Sequence, residues 1–229
     1  MTLNDLEVLL VLLPAVLLAY AYLAYPALLR LFGSFRSAPP APADTPEWPL
    51  ISIVVPAYNE EQAIRRTIES LLALDYPAGR RQILILSDAS SDGTDDVVRS
   101  YADRGVELLR LPTRSGKTAA ENAALPLIRG EIVVNTDATI RILPESLKPL
   151  IRTFQDPTVG VASGRDLSVG DVTIEASGGE SGYVGYEMWV RSLETRLGSI
   201  VGASGCFYAI RRPLHVIEVP PALSRDFAS

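Results

Sequence analysis

Cysteine and histidine are nearly missing from this chain: its 229 residues hold one of each, Cys206 and His215. A lone cysteine excludes an intrachain disulfide and a metal site built on several thiolates, and it agrees with a reducing compartment. His215 has no second His or paired Cys to work with, so it reads as structural or exposed. Basic charge is in deficit as well. The net charge of −6 argues against sequence-independent nucleic-acid binding, which needs a positive surface, so no nucleic-acid partner is expected. No G-x-G-x-x-G follows the first predicted strand, which argues against a dinucleotide-binding fold. No internal repeat is visible.

A further absence is local. Between Glu7 and Arg30 there is no charged residue. Such a run is long enough to cross a bilayer as a helix. A secretory signal peptide would need a basic start and a short apolar core. Here the start is acidic (Asp5, Glu7), the core is long, and the cleavage-like Ala19-Tyr20-Ala21 lies inside it. Pro14 and Pro26 are candidate kinks. Arg30 and Arg36 follow the run and no Lys or Arg precedes it, so the positive-inside bias puts the rest of the chain in the cytoplasm, at the cell (inner) membrane. The expected organisation is a transmembrane helix over residues 1–33, a linker over 34–49 and one domain over 50–229. Five prolines between Ser37 and Pro49 make that linker stiff and extended.

From Leu50 the pattern alternates. Apolar, β-branched runs predict strands at Ile51–Val55, Ile83–Leu86, Val106–Leu111 and Glu131–Asn135. Between them, helical spacing predicts helices at Glu61–Leu74, Asp95–Arg104 and Lys117–Leu125, the first with Asn59 and Gln62 as a capping-box-like start. Glu145–Phe154 predicts a further helix, Val159–Arg165 and Cys206–Ile210 further strands. Gly178 to Leu197 predicts a loop running into an amphipathic helix with Tyr186, Val190, Leu193 and Leu197 on one face. Alternation of this kind implies an α/β fold, a mostly parallel sheet with helices on both faces.

In such sheets ligands bind outside the carboxyl ends of the strands. Three strand ends carry candidate chemistry. Pro56-Ala57-Tyr58-Asn59-Glu60 brings free backbone N–H groups and a tyrosine ring to a helix start. Asp88 follows the second strand, where a carboxylate can accept from a nucleobase N–H or a ribose hydroxyl. Asp137 follows the strand containing Ile132-Val133-Val134, where a carboxylate can hold Mg²⁺ or Mn²⁺ against a diphosphate. Taken singly, each also reads as an ordinary turn or cap residue. Arg114-Ser115-Gly116-Lys117-Thr118 invites a P-loop reading, but a Walker motif needs glycine where Leu111 stands.

The ordered set is more specific than its parts. Val54-Val55-Pro56-Ala57-Tyr58-Asn59-Glu60, Ser87 to Thr94, Gly116-Lys117-Thr118 with Glu121-Asn122-Ala123, and Asn135-Thr136-Asp137-Ala138 resemble the family 2 glycosyltransferases with the GT-A (Rossmann-like) fold. Tyr186-Glu187 through Glu194, and Gly202 to Arg212, resemble the acceptor-side region of that family's membrane-bound, processive-like branch. The likeness implies a donor-binding half at about 50–140 and an acceptor-side half at about 141–229. It implies that Pro56, Ala57, Tyr58 and Glu60 line a uridine pocket, that Asp88 reads the uracil, and that Lys117 lies near the diphosphate. Asp137 matches the first acid of the metal-binding D-x-D, and Asp226 matches the catalytic base. The implied activity is inverting transfer from a nucleotide-sugar, a UDP-sugar by resemblance, to a lipid or polysaccharide hydroxyl.

Three residues depart from the family pattern. Thr139 replaces the second metal acid, Arg225 replaces an acid beside the base, and Ser87 replaces a frequent Asp. The chain also ends before the branch's Q-x-x-R-W motif and C-terminal membrane helices, so truncation at the C-terminus is expected. A non-catalytic nucleotide-sugar-binding module and a P-loop NTPase are the alternatives.

Overall fold

A computed structural model of the chain describes residues 3–36, 47–164, 178–215, 217–220 and 222–223. Linker residues 37–46, Arg165, and the pair Arg225 and Asp226 lie outside the described residues. The chain divides into two compact units, one drawn from Met1–Ala41 and Leu167–Val201, the other from Pro42–Asp166 and Gly202–Ser229. Of the described residues, 178–201, expected with the acceptor-side half, fall in the same unit as the N-terminal helices.

The first unit contains α1 (Leu3–Ala19), a π-helical turn (Tyr20–Ala24), α2 (Tyr25–Gly33) and α7 (Gly178–Leu197). Pro14 lies inside α1. Pro26 has no N–H for the carbonyl of Tyr22 one turn earlier, and the helix widens into the π turn just before it. The carbonyls of Ala21 and Tyr22 instead receive the Tyr186 hydroxyl of α7, at 3.1 and 3.4 Å. The Tyr25 hydroxyl donates to buried Glu194 at 2.6 Å, and Tyr22 packs on Tyr186 with ring centroids 5.3 Å apart. α7 is helical from Gly178, where a leading loop was predicted, and of its predicted face Leu193 is buried. The Leu12–Gly33 span is long and apolar enough to cross a membrane, and Leu12, Leu13, Val16, Leu17, Leu18 and Leu23 are exposed along it.

The second unit is built on six strands: β1 (Ile51–Ala57), β2 (Arg81–Ser87), β3 (Val106–Arg110), β4 (Ile132–Thr136), β5 (Val161–Ser163) and β6 (Phe207–Arg211). Their order is β3-β2-β1-β4-β6-β5, with β1, β2, β3 and β4 parallel and β6 antiparallel to both β4 and β5. The sheet is therefore mixed and mostly parallel. Alternate residues face opposite sides. Ile51, Ile53, Val55, Ile83, Ile85, Ile132 and Val134 pack with Ile64, Ile68 and Leu71 of α3 (Glu61–Leu72), Val98 of α4 (Thr94–Arg99) and Leu147 and Leu150 of α6 (Leu147–Arg152). Val54, Leu84, Leu86 and Val133 pack with Ala120 and Ala124 of α5 (Lys117–Ala124) on the other side. Full burial of each of the Val, Leu and Ile side chains contributes roughly 1.5–3 kcal/mol.

Helix ends depart from the periodicity in a consistent way. Asp95–Arg104 is α4 followed by a separate 3₁₀ turn, Ala102–Arg104, closed by Gly105 at φ +83°. Glu145–Phe154 is α6 flanked by 3₁₀ turns at Pro144–Ser146 and Thr153–Gln155. Val159–Arg165 shortens to β5, and Cys206 precedes β6 rather than opening it. At Gly130 a Cβ would lie 2.3 Å from the Ser52 backbone nitrogen, so only glycine admits the close approach of β4's entry to β1.

His215 ends the short α8 (Arg212–His215) and is fully buried, with Nε2 3.2 Å from Asn135 Oδ1. Of the two readings open for it, structural or exposed, the structural one holds.

Candidate active site

Running β1→β2→β3, the chain builds outward on one side; β4 then returns to pair with the other edge of β1. The β1–β4 boundary is therefore the point where the strand order reverses, and the crevice beyond the carboxyl ends there is where such sheets bind ligands. A cavity of about 290 Å³ opens at this place, lined by Pro56, Ala57, Tyr58, Glu60, Asp88, Lys117, Asp137, Ala138 and Thr139. Seven residues singled out in the sequence as substrate- or metal-binding converge here. Asp226, singled out as the catalytic base, lies outside the described residues.

The loops after β1 and β2 are braced against each other. Glu60 N donates to Thr94 Oγ1 at 2.8 Å, Glu61 N to Asp92 Oδ2 at 3.1 Å, and Gly93 N to Glu61 Oε2 at 3.1 Å. The start of α3 is thus held from another loop, and the capping box expected from Asn59 does not form. Asn59 sits at φ +56° and its Oδ1 accepts from Ser91 N at 2.8 Å. Ala89 shares that left-handed conformation at φ +56°, one residue past Asp88. Asparagine tolerates it; alanine pays a steric cost that the surrounding bracing must hold. Burial pushes the Asp92 carboxyl upward, but hydrogen bonds from Thr94 and Glu61 outweigh it and hold its pKa below the usual carboxylate range.

Asp88 is buried and both its oxygens are engaged: Oδ1 by Ser115 N at 2.7 Å and Oδ2 by Gly116 N at 2.8 Å. Gly116, at φ +92°, turns the chain into α5 so that Lys117, its first residue, reaches the cavity. Lys117 Nζ lies 2.6 Å from Asp137 Oδ1. The turn carrying Asp137 is itself fixed, by Ile140 N donating to the Asp137 carbonyl at 3.2 Å and by the Thr67 hydroxyl donating to the Ala138 carbonyl. Arg114 stacks over the Tyr58 ring, 4.0 Å from its centroid. No local pattern signals that stack, nor Asp88 binding the Ser115–Gly116 backbone, because both depend on loops that meet only once the strands have paired.

Residues 52–215 match the description Glycosyl transferase family 2. This chain belongs to that family. Its fold is GT-A-like: the mannosyltransferase PcManGT from Pyrobaculum calidifontis, solved in complex with GDP-Man and Mn²⁺, superposes with a TM-score of 0.71 over 93% of this chain and 60% of its own, at 25% identity. The beta-monoglucosyldiacylglycerol synthase of Trichormus variabilis (strain ATCC 29413 / PCC 7937) is 30% identical over 169 residues, which cover 72% of this chain and 36% of the relative. An N-acetylglucosaminyltransferase of Mesorhizobium japonicum is 31% identical over 136 residues, 56% of this chain and 32% of the relative. This family 2 chain thus spans about a third of the length of those two relatives.

The donor set suits a hard divalent cation in a limited way. No group of three or more His, Cys, Asp or Glu side chains clusters among the described residues. Glu60, Asp88 and Asp137 line the cavity; both Asp88 oxygens are taken by Ser115 N and Gly116 N, whereas Asp137 Oδ2 makes no hydrogen bond among the described residues. Magnesium-type sites commonly use one or two carboxylates and complete their shell with substrate phosphate and water, so Asp137 with a diphosphate fits.

Proposed function

We propose that the chain is the donor-binding and acceptor-side part, about 50–140 and 141–229, of a membrane-anchored inverting glycosyltransferase. It moves a hexose-type sugar from a nucleotide diphosphate donor to a lipid or saccharide hydroxyl. The observation that carries this reading is the convergence of Pro56, Ala57, Tyr58, Glu60, Asp88, Lys117 and Asp137 on one cavity at the β1–β4 switch point.

Tyr58 and the end of β1 offer a ring face and backbone groups to the nucleoside, while Lys117 and Asp137 face the diphosphate. Mg²⁺ or Mn²⁺ held between Asp137 and the diphosphate would stabilise negative charge on the leaving group. Asp226 takes the proton of the acceptor hydroxyl as that oxygen attacks the anomeric carbon from the face opposite the nucleotide. Lipid acceptors are favoured by the diacylglycerol synthase relative and by the apolar Leu12–Gly33 span, which would anchor the domain at the cytoplasmic side of the membrane.

A UDP-sugar is the donor that the sequence resemblance implies; the GDP-Man bound to PcManGT makes a GDP-sugar the second reading. The test uses the full natural protein in membranes with a panel of UDP- and GDP-sugars. Transfer should require one of them, and Asp226→Asn should abolish turnover while sparing donor affinity. Turnover retained in that variant rejects the assignment of the base. Donor binding without release of the nucleotide by the unmodified protein would instead favour a nucleotide-sugar-binding module.

A further inference from the structure

The pair between Lys117 and Asp137 has a consequence for how the cavity takes up a cation. Asp137 is the only carboxylate of its Asp137-Ala138-Thr139 turn, because Thr139 stands two residues on. Its Oδ1 is 2.6 Å from the Lys117 ammonium, and the two side chains are 36% and 46% exposed at the cavity rim. Lys117 does not reach this oxygen by drifting. Its backbone is set by the Ser115 and Gly116 N–H groups on Asp88, so the stem of the lysine starts at a fixed point and its four-carbon chain spans the gap.

A monovalent cation therefore already sits on the carboxylate that a divalent ion would use. We propose that Lys117 is a built-in competitor for the Asp137 cation site: in the donor-free protein it keeps divalent ions off Asp137, and a nucleotide diphosphate releases the site by drawing the ammonium to its own charge. Ammonium and metal compete for the charge of one carboxylate and repel each other beside it. Two phosphates give Lys117 an alternative partner of higher charge, and its flexible stem lets it turn there. Donor and cation are then taken up as coupled events, and the metal is not resident between turnovers. The role follows from the single carboxylate: with a second acid at position 139 the lysine would neutralise only half of the site. This inference rests on Asp137 being the metal ligand of the proposed function.

The test reads metal binding alone, without sugar transfer. Mn²⁺ is titrated into the full chain, the signal being paramagnetic line broadening of NMR resonances from residues around Asp137, for the unmodified protein and for Lys117→Met, Lys117→Arg and Lys117→Met/Asp137→Asn. Without nucleotide, Lys117→Met should bind Mn²⁺ at least about fivefold more tightly than the unmodified protein, the lower end of typical coupling between sites. Lys117→Arg keeps the charge and should match the unmodified protein, and the double variant should lose the gain. Equal Mn²⁺ affinity in Lys117→Met and the unmodified protein, no measurable binding by Lys117→Met, or a gain that survives removal of the Asp137 carboxylate overturns the proposal. Failure of the functional reading looks different: the Mn²⁺ gain would appear as stated while no nucleotide-sugar was turned over.

Discussion

Asp88 is the residue whose removal tests the architecture of the site most directly. Its two oxygens accept from Ser115 N at 2.7 Å and Gly116 N at 2.8 Å, and the side chain is only 5% exposed. Hydrogen bonds to a charged group contribute about 1.5–3 kcal/mol each. Asp88→Ala removes both, so the Arg114–Lys117 loop should open more easily by about 3 kcal/mol even at the low end of that range. Since about 1.4 kcal/mol is tenfold in an equilibrium constant, the open population rises roughly a hundredfold. Asp88→Asn keeps one acceptor and turns an N–H toward the other donor, so at least one bond is lost and the increase is about tenfold or more. Limited trypsin digestion reads this population directly when reclosing outpaces cleavage, because Arg114 and Lys117 are both exposed cutting sites in that loop. Cleavage at Arg99, on α4, serves as the control for global unfolding. Loop cleavage should accelerate in the order native, Asp88→Asn, Asp88→Ala, with cleavage at Arg99 changing less. If all three proteins are cut in the loop at one rate, the carboxylate is not what holds it. The same variants separate two roles in donor binding. A loop anchor lowers affinity for UDP and GDP alike, whereas a reader of the base changes their ratio.

Two further outcomes follow from the surroundings of the cavity. Ala89 at φ +56° should favour glycine: relief of a steric cost of about 1–2 kcal/mol, less the 0.5–1 kcal/mol that glycine's freedom costs, predicts that Ala89→Gly raises unfolding stability in urea by about 0.5–1 kcal/mol, and a loss would deny the strain. Tyr76, whose hydroxyl donates to the Pro49 carbonyl at 2.6 Å, is pushed well above the ordinary phenol pKa by burial. The folded state therefore holds that proton more tightly than the unfolded chain, so this contribution is intact below about pH 10 and declines as pH rises beyond it. The melting temperature should fall above pH 10, and Tyr76→Phe should fall less steeply over the same range.

Much of the site was legible because Asp88 and Asp137 each stand just past an apolar, strand-forming run. Continuous apolar, β-branched runs mark strands and period-3.6 spacing marks helices from Leu50 onward, and a chain that alternates them has few ways to bury both faces of a sheet. The positions of Asp88 and Asp137 just past strand ends follow from that alone. Less legible were the helix ends. Asn59 looked like a cap in sequence, yet its side chain serves the loop of Ser91, because at φ +56° it turns away from α3 and Asp92 supplies the acceptor for Glu61 N. α7 carried the predicted apolar face, but periodicity does not name the surface that a face packs on: α7 lies beside α2, and Tyr186 of that face meets Ala21 and Tyr22 of the π turn.

What the sequence by itself determined is therefore which segments are buried, which residues stand at the ends of strands, and the uncharged run from Val8 to Leu29. Those properties are local: they depend on side-chain polarity and spacing within a window of one element. Only the tertiary structure decided that β4 returns beside β1, so that the ends of β1, β2 and β4 meet at one cavity. It also decided that the Asp88 carboxylate faces the backbone of Ser115 and Gly116 and that Lys117 lies on Asp137. Those partners are 27, 28 and 20 residues apart in the chain. Only strand pairing, with the loss of chain entropy that closing such loops demands, brings them within reach of a hydrogen bond.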